Sequence, residues 1–333
     1  MVCRSSGWTY RKSKMRPGRL RPSASARSRR APMGLQDRLG RRAMMRAIDE
    51  LQKYTGKKIE AIVPVELGGG NMPAPIVNAR RLGIPAVDGD YSGRAVPEVE
   101  QGTPHLFDKD SRPAVTVDRW GNVTIIKETQ NDAIAERMGK MLSVAAFGGC
   151  SMASTLLRGK EMKEVLVRDT LTRCYELGQA VRTAREQGRD PVQAAIAYLQ
   201  GWLLFRGEVT SKEWEDRGGY MYGTTTMAGR DEFAGQTMKV WFKNENHIAW
   251  LDDQPFVTSP DPICLLNPQT GEGYSNTTLK AGDRVSVIGA KGVEAFRSER
   301  GLAAAGPAHF GFDMRYVPIE QAVQRLQQHS RSV

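Results

Sequence analysis

The most regular hydrophobic pattern in the chain lies in its first third and predicts alternating helices and strands. Apolar residues recur at helical spacing over residues 34–54, and Gly56 is placed to end that helix. A nearly continuous apolar run over residues 59–65 predicts a strand covered on both faces, as in parallel sheets. A short helix ending at Gly83 and a second strand over residues 84–88 follow it. This order is typical of a doubly wound α/β unit.

The pattern changes further along the chain. A hairpin and a long helix complete the α/β region, and two consecutive helices then predict a helical hairpin. Asn131 and Asp190 are placed to cap two of these helices. Short β-rich runs follow, typical of a small sandwich or barrel. In chain order the predicted elements are strands 114–118 and 122–126, helices 131–146, 170–187 and 190–200, and β-rich runs 202–210, 220–227, 237–243, 246–251, 262–266 and 284–288.

The predicted fold is therefore an α/β N-terminal domain with a partly parallel sheet, followed by a helical hairpin and a β-rich C-terminal domain. The α/β domain covers residues 33–168, and the hairpin with the β-rich domain covers residues 169–320. Residues 321–333 are predicted to be a polar tail. Residues 1–32 are rich in Arg, Ser and Pro and have no apolar period, so they are predicted not to fold alone.

The positive charge of the chain is concentrated in this N-terminal tail. The formal net charge is +11, but residues 1–32 hold ten Lys and Arg and no acid, which leaves +1 (11 − 10) for the remainder. Nucleic acid is therefore not expected to bind the globular part. The tail itself has three interpretations: a basic arm for nucleic acid or an anionic surface, an organelle-targeting peptide, or a non-native stretch from a misplaced start codon or a frameshift. We favour the third.

Several protein classes are excluded by composition. No apolar run approaches the roughly 18 residues of a membrane-spanning helix, and the N-terminus has no apolar signal segment. The four cysteines, at positions 3, 150, 174 and 264, form no CxxC pair. Such scattered thiols are typical of buried positions in a reducing compartment, so a cytoplasmic protein without membrane contact is expected. The sequence does not distinguish a monomer from a homo-oligomer.

Oxygen-rich side chains follow both predicted strands of the α/β unit. Glu66 ends the first strand and Asp88 ends the second. In open α/β sheets ligands bind beyond the carboxyl ends of the strands, so we expect both residues to border an active site. A turn of three glycines, residues 68–70, allows close backbone approach beside Glu66. The remaining candidates nearby in sequence are Gly69, Asn71, Asp90, Arg94, Glu98 and His105.

These side chains suit two kinds of chemistry. Carboxylates with an imidazole can hold a divalent metal that lowers the pKa of a bound water, and the same groups can act without metal as general acid and base. Solvated loop charge is the structural alternative. The chain has no GxGxxG and no Walker A pattern, so no nucleotide cofactor is expected.

Other reactive side chains have structural interpretations. Cys150 is predicted to be a packed thiol rather than a nucleophile, and His247 a hydrogen-bonded structural histidine on a strand. His309 lies in a Gly- and Pro-rich loop with Asp313 nearby, and functional and structural roles are equally supported for it.

Five segments carry a resemblance to a known family. They are IEAIVPVELGGGNMPAPIVNARRLGIPAVDGDYSGRAVPEVEQ, YLQGWLLFRGEV, NENHIAWLDD, PDPICLLNPQTGE and GPAHFGFDMRYVPI. Over residues 34–320 the chain resembles the S-methyl-thiohydantoin desulfurase-like family, whose genes often lie beside those of hydantoinase/oxoprolinase enzymes. The resemblance implies an α/β N-terminal and a β-rich C-terminal domain, which agrees with the elements predicted above.

The resemblance also implies an activity. Water would add to a thiohydantoin ring at the carbon that bears sulfur, a thiol or sulfide would leave, and any metal would be zinc. Within this framework we assign roles to individual residues. Catalytic roles go to Glu66, Asp88 and Asp90, substrate binding to Gly69, Asn71, Arg94 and His309, and metal binding to Glu66, Asp88, Asp90, Glu98 and His105. Arg94, or Asn71, would hold a ring carbonyl or a substrate carboxylate.

The chain departs from the family pattern at its start. Family members begin with a longer region that includes a Gly-rich strand-to-helix turn, and the Arg-rich tail stands in its place. This predicts a truncated or frame-shifted N-terminal domain with an uncovered sheet edge, a loss that puts the activity of the chain in question.

Two functions are thus expected from the sequence. The first is a hydrolase of thiohydantoin- or hydantoin-like rings. The alternative is a non-catalytic accessory or small-ligand-binding partner of a hydantoinase/oxoprolinase.

Overall fold

The computed structural model of the protein describes residues 2–9 and 38–330. Its elements form two parts. The first part contains β1 (Val2–Thr9), α1 (Ala43–Thr55), β2 (Ala61–Pro64), α2 (Pro73–Leu82), β3 (Gly89–Asp90), α3 (Thr103–Leu106), β4 (Ala114–Asp118), β5 (Val123–Ile126), α4 (Asp132–Ala145), β6 (Gly149–Leu157), α5 (Gly159–Val165) and β7 (Val167–Arg168). The second part contains α6 (Thr170–Glu186), α7 (Pro191–Leu199), β8 (Trp202–Arg217), β9 (Tyr220–Gly229), β10 (Thr237–Lys243), β11 (Glu245–Leu251), β12 (Gln254–Thr258), β13 (Ile263–Leu266), β14 (Arg284–Gly289), α8 (Glu294–Arg297), α9 (Glu299–Ala305) and α10 (Ile319–Ser330).

The first sheet has the strand order β2-β1-β6-β4-β5. β2 runs parallel to β1, and Ile62 forms a further parallel bridge with Ala86. The β1–β6, β6–β4 and β4–β5 pairs are antiparallel, so the sheet is mixed. The doubly wound arrangement that the sequence predicted is not found. The predicted and observed sheets differ because β6 was not predicted as a strand. Its small and polar residues lack the apolar run by which a buried strand is recognised.

The tail predicted over residues 1–32 contains a strand. Residues 2–9 form β1, which pairs along one side with β2 and along the other with β6. The sequence analysis did not predict this strand, because it considered only the side chains. Two neighbouring strands with unpaired backbone groups can accept an extended segment through its main chain alone. Residues 10–32, the rest of the predicted tail, lie outside the described residues.

Helix ends follow the signals in the sequence. Gly56 and Gly83 end α1 and α2 with φ angles of 66° and 67°, in the left-handed region that favours glycine. Asn131 Oδ1 accepts from the backbone N–H of Ile134 at the start of α4. The side chain of Asp190 caps α7 in the same way. These local predictions are confirmed, and they fix where the chain turns back onto each sheet.

The second sheet has seven antiparallel strands in the order β12-β11-β10-β9-β8-β14-β13. One face is covered by a large apolar core that includes Phe205, Met227 and Val240, each wholly buried. The hairpin of α6 and α7 packs beside the β13–β14 end through Val192 and Ala195. The helical hairpin and the β-rich arrangement are as the sequence predicted.

The polar tail predicted at the C-terminus is a helix. α10 begins at Ile319, and Ile319, Ala322 and Val323 are buried. Their spacing of three and four residues places them on one helix face, which the high polarity of the segment concealed. Among the described residues, no helix is both long and apolar enough to cross a membrane.

Candidate functional site

The carboxyl group of Glu66 is held in a fixed position behind β2. It is buried, Oε1 accepts from Asn71 Nδ2 at 2.7 Å, and Oε2 accepts from the backbone N–H of Val96 at 2.5 Å. A Cβ atom at Gly68 would lie 2.5 Å from Oε1, so a side chain at this position would displace the Glu66 carboxyl. Asn71 precedes α2, which begins at Pro73, and its side-chain amide donates to Glu66.

Asp90 is wholly buried and organises the loop that follows it. Its Oδ2 accepts from the backbone N–H groups of Ser92 at 3.0 Å and Gly93 at 2.8 Å. Its Oδ1 is buried and meets no donor at hydrogen-bonding distance among the described residues. Burial, with a smaller contribution from the charge of Glu66, raises the pKa of Asp90 to about 7. This carboxyl is therefore partly protonated near neutral pH.

Arg94, in the same loop, ties the first part of the chain to the second sheet. Its Nη2 donates to the carbonyl oxygen of Asn246 at 2.8 Å, and its Nη1 donates to the carbonyl oxygen of Pro260 at 3.2 Å. Burial lowers the pKa of the guanidinium, although neighbouring groups that include Glu245 and Glu66 act in the opposite direction. The guanidinium thus binds protein carbonyls, where the sequence predicted contact with a substrate.

A cleft of about 520 Å³ lies between the glycine turn, the helical hairpin and the second sheet. This volume is in the range of small-molecule sites. Polar groups line part of it, and these are Arg94, Asn244, Glu245, Asn246, Cys264, Tyr274, Ser275 and Asn276. Gly68 and Gly69 contribute backbone to the wall.

Glu245 lines this cleft and is an ionisable group whose pKa is strongly raised. It is the first residue of β11, and its Oε2 is buried without a hydrogen-bond partner among the described residues. Burial, and then the negative charge of Glu66, raises its pKa to about 8, while Arg94 acts in the opposite direction. A carboxyl that keeps its proton at neutral pH can donate that proton to a bound ligand.

The thiol of Cys264 also lines the cleft. Burial raises its pKa, and the nearby charge of Arg94 lowers it only in part. The group is therefore a protonated thiol rather than a reactive thiolate. Cys150, predicted to be a packed thiol, is buried with its pKa raised to about 12.

Asp88 does not face the cleft. It is exposed, and it accepts from the backbone N–H groups of Leu171 at 3.0 Å and Thr172 at 3.1 Å. Burial is the largest single effect and raises its pKa, but the hydrogen bonds from Thr172 and Leu171 together outweigh it and lower the pKa overall. Asp88 therefore stabilises the start of α6, and the catalytic role predicted for it has no support in its position.

Glu98 and His309 belong to a separate ionic cluster. Glu98 Oε2 lies 2.8 Å from His309 Nε2, and Lys243 Nζ donates to Glu98 Oε1. Burial raises the pKa of Glu98, but its bonds to His309 and Lys243 lower it overall. The cluster joins the first part of the chain to β10, so Glu98 and His309 have protein partners where metal and substrate were predicted.

The two remaining histidines considered above are also packed within the protein. His105 Nδ1 lies 2.8 Å from Asp132 Oδ2, and this hydrogen bond raises the pKa of His105. His247 is buried with its ring centroid 4.0 Å from that of Phe310. Burial lowers the pKa of His247 well below its ordinary value. Neither ring nitrogen of His247 has a hydrogen-bond partner among the described residues, so ring packing and not hydrogen bonding fixes the side chain.

The structure does not bring the five predicted metal ligands together. Asp88 caps α6, Glu98 bonds to His309 and Lys243, and His105 bonds to Asp132. Across residues 2–9 and 38–330, no group of three or more His, Cys, Asp and Glu side chains is placed to hold a metal ion. The five residues proposed to bind zinc are therefore not placed to hold it together.

Glu245 and Cys264 were missed as site residues. Both lie within segments that carry the family resemblance, NENHIAWLDD and PDPICLLNPQTGE. A polar triplet, Asn244–Asn246, directly before an apolar strand was the available signal. Its significance depends on Glu66 and Arg94, which are far away in sequence.

The fold and the cleft define a two-part protein with a mixed sheet in the first part and a seven-stranded antiparallel sheet in the second, joined by side-chain contacts such as that of Arg94 with Asn246. Two family models match consecutive stretches of the chain: the S-Me-THD-like N-terminal domain over residues 29–128 and the S-Me-THD-like C-terminal domain over residues 130–319. The chain belongs to the S-Me-THD-like family, which confirms the resemblance seen in the sequence. The two models meet at residues 128–130, while β6 further along still belongs to the first sheet.

A solved structure shares this fold. The X-ray crystal structure of a protein from Chromobacterium violaceum is similar with a TM-score of 0.69 and 20% sequence identity, over 84% of this chain and 78% of that chain. At this identity the similarity concerns the fold alone. A search of curated proteins found no match.

Proposed function

We propose that the protein hydrolyses S-methyl-thiohydantoin-type rings in the cleft, with loss of methanethiol. Family membership supports this class of ring. The observation that carries the proposal is the carboxyl of Glu245, which lines the cleft, has a buried oxygen without a partner and has a pKa of about 8. A proton donor of this kind is what a ring with a poor leaving group needs.

In the proposed reaction Glu245 acts first as an acid. Its proton moves to the ring nitrogen beside the carbon that bears sulfur, which makes that carbon more electrophilic. Water then adds to the carbon, and the Glu245 carboxylate takes up a proton from it. The tetrahedral intermediate collapses as the carbon–sulfur bond breaks, and the departing sulfur leaves with a proton as methanethiol. One ring and one water thus give one hydantoin and one thiol.

Four residues position Glu245 in this account. The charge of Glu66 favours the protonated form of Glu245. Asn71 and Val96 fix the Glu66 carboxyl. Arg94 holds the neighbouring residue of β11, Asn246, against the loop of the first part. These residues are assigned to positioning, and Glu245 is assigned to contact with the substrate.

The proposal is tested by incubating the protein with an S-methyl-thiohydantoin in isotopically labelled water. The expected products are free methanethiol, detected with a thiol reagent, and a hydantoin whose new carbonyl carries the labelled oxygen. Label in a ring-opened product with sulfur retained would contradict the desulfurase assignment. Ring binding without any thiol release would favour a non-catalytic ring-binding partner of a hydantoinase.

A further inference from the structure

The side of the cleft formed by the helical hairpin is apolar. Six residues from α6, α7, β13 and β14 form this wall, and these are Leu177, Val181, Ala195, Leu199, Leu266 and Ile288. Ala195, Leu266 and Ile288 are buried in the cluster that joins the hairpin to the sheet. Leu177, Val181 and Leu199 remain partly exposed beside it, so a ligand can still cover them.

The cleft is larger than the reacting ring requires. A five-membered ring with one methylthio group fills only a fraction of about 520 Å³. Space therefore remains for a substituent on the ring, and the hairpin wall determines which substituent is favoured. Each buried methylene on such a wall contributes to binding, whereas a polar group without a partner opposes it.

The charges around the cleft oppose an anionic substituent. Within the described residues, Arg94 is the one cationic side chain that lines the cleft, and its nitrogens already donate to the carbonyl oxygens of Ala95, Asn246 and Pro260. Glu245 lines the same cleft, and Glu66 lies close enough to raise its pKa. A ligand carboxylate would lose its hydrating water near these acids. Arg94, which already donates to carbonyl oxygens, would not compensate for that loss.

We infer that the substrate ring carries an uncharged alkyl or aryl substituent that packs on the hairpin wall. This inference rests on the proposed function and names its substrate class. It replaces the substrate carboxylate that the sequence suggested as the partner of Arg94. Leu177, Val181 and Leu199 are the residues that set the preference.

The test compares two product-type hydantoins as ligands, one with an isobutyl substituent and one with a propionate substituent of similar length, by calorimetry at neutral pH. The isobutyl compound is expected to bind at least about ten-fold more tightly. Equal or tighter binding of the propionate compound would overturn the inference, even if methanethiol were released in the turnover assay.

A charge placed on the wall gives a second measurement. Leu177→Lys should remove the isobutyl preference or reverse it, because a cation then lies beside the substituent. Tyr175→Lys is the matched control, since Tyr175 lies on the same helix and is 66% exposed. An unchanged preference in folded Leu177→Lys would overturn the role of the wall. If the variant does not fold, the wild-type comparison alone decides. If neither hydantoin binds, the inference fails, and methanethiol release in the turnover assay decides the proposed function separately.

Discussion

Arg94 Nη2 donates to the carbonyl oxygen of Asn246 at 2.8 Å, and this bond joins a loop of the first sheet to the strand that carries Glu245. Asn246 follows Glu245 directly, so the position of the candidate acid depends on a residue from the other part of the chain. Glu66 influences the same acid through its charge. The site is therefore assembled across the two parts rather than within either.

Arg94→Lys should destabilise the protein by roughly 1–3 kcal/mol, because a lysine ammonium cannot reproduce a planar fork that reaches several carbonyl oxygens at once. Urea unfolding measures the effect. Arg182→Lys, at an exposed position of α6, is the matched control and should change stability little. Equal stability of Arg94→Lys and the control would show that Arg94 does not hold the two parts together.

Asp88→Ala should lower stability by about 1 kcal/mol and leave thiol release unchanged, because Asp88 hydrogen-bonds to the start of α6 and does not line the cleft. Thermal unfolding and the thiol assay, run on the same preparation, check both parts of this expectation. Asp190→Ala, at the start of α7, should cost a similar amount. A large loss of activity in a folded Asp88→Ala protein would restore its predicted catalytic role.

Asp90→Asn should make stability less dependent on pH. The folded protein holds a proton on Asp90 up to about pH 7, whereas the unfolded chain releases it near the ordinary pKa of 3.8. Stability therefore falls as pH rises through this window, and the substitution should remove on the order of 1–3 kcal/mol of that fall. Unfolding free energies at about pH 5 and about pH 8 give the measurement.

Asp313→Asn provides the control for this experiment, since Asp313 is exposed. The same dependence on pH in wild type and Asp90→Asn would mean that Asp90 is ionised in the folded protein at pH 5.

Thiol release should decrease as the pH rises through about 8, because Glu245 is then deprotonated and can no longer donate a proton. Glu66→Gln should move this decrease to lower pH, since the negative charge that raises the pKa of Glu245 is removed. Initial rates over a pH series measure both curves. A rate that is constant, or that increases, through this range would exclude Glu245 as the acid.

The parts of the fold that the sequence predicted depend on local signals. Gly56 and Gly83 end helices because glycine accepts left-handed angles wherever it stands, and Asp190 caps α7 through a hydrogen bond two residues away. β6 was missed because its small polar residues show no period, although its partners on both sides place it within the first sheet.

Part of the site was also predicted from local signals in the sequence. Glu66, Asn71 and Arg94 lie near a glycine turn that marks a sheet end; Arg94 lines the cleft, and Glu66 and Asn71 bond to each other beside the turn. Asp88 and Glu98 are also acidic residues close to this turn in sequence, yet their carboxylate oxygens bond to the start of α6 and to Lys243. Glu245 has its unusual pKa only because folding buries it near Glu66.

The central claim is that the Glu245 carboxyl donates the proton needed for loss of sulfur. It is tested most directly by the initial rate of methanethiol release from an S-methyl-thiohydantoin at about pH 7 for wild type, Glu245→Gln and the exposed control Glu213→Gln. The account predicts a loss of about 100-fold or more in Glu245→Gln, with Glu213→Gln at the wild-type rate. A folded Glu245→Gln protein that releases methanethiol at the wild-type rate would contradict it.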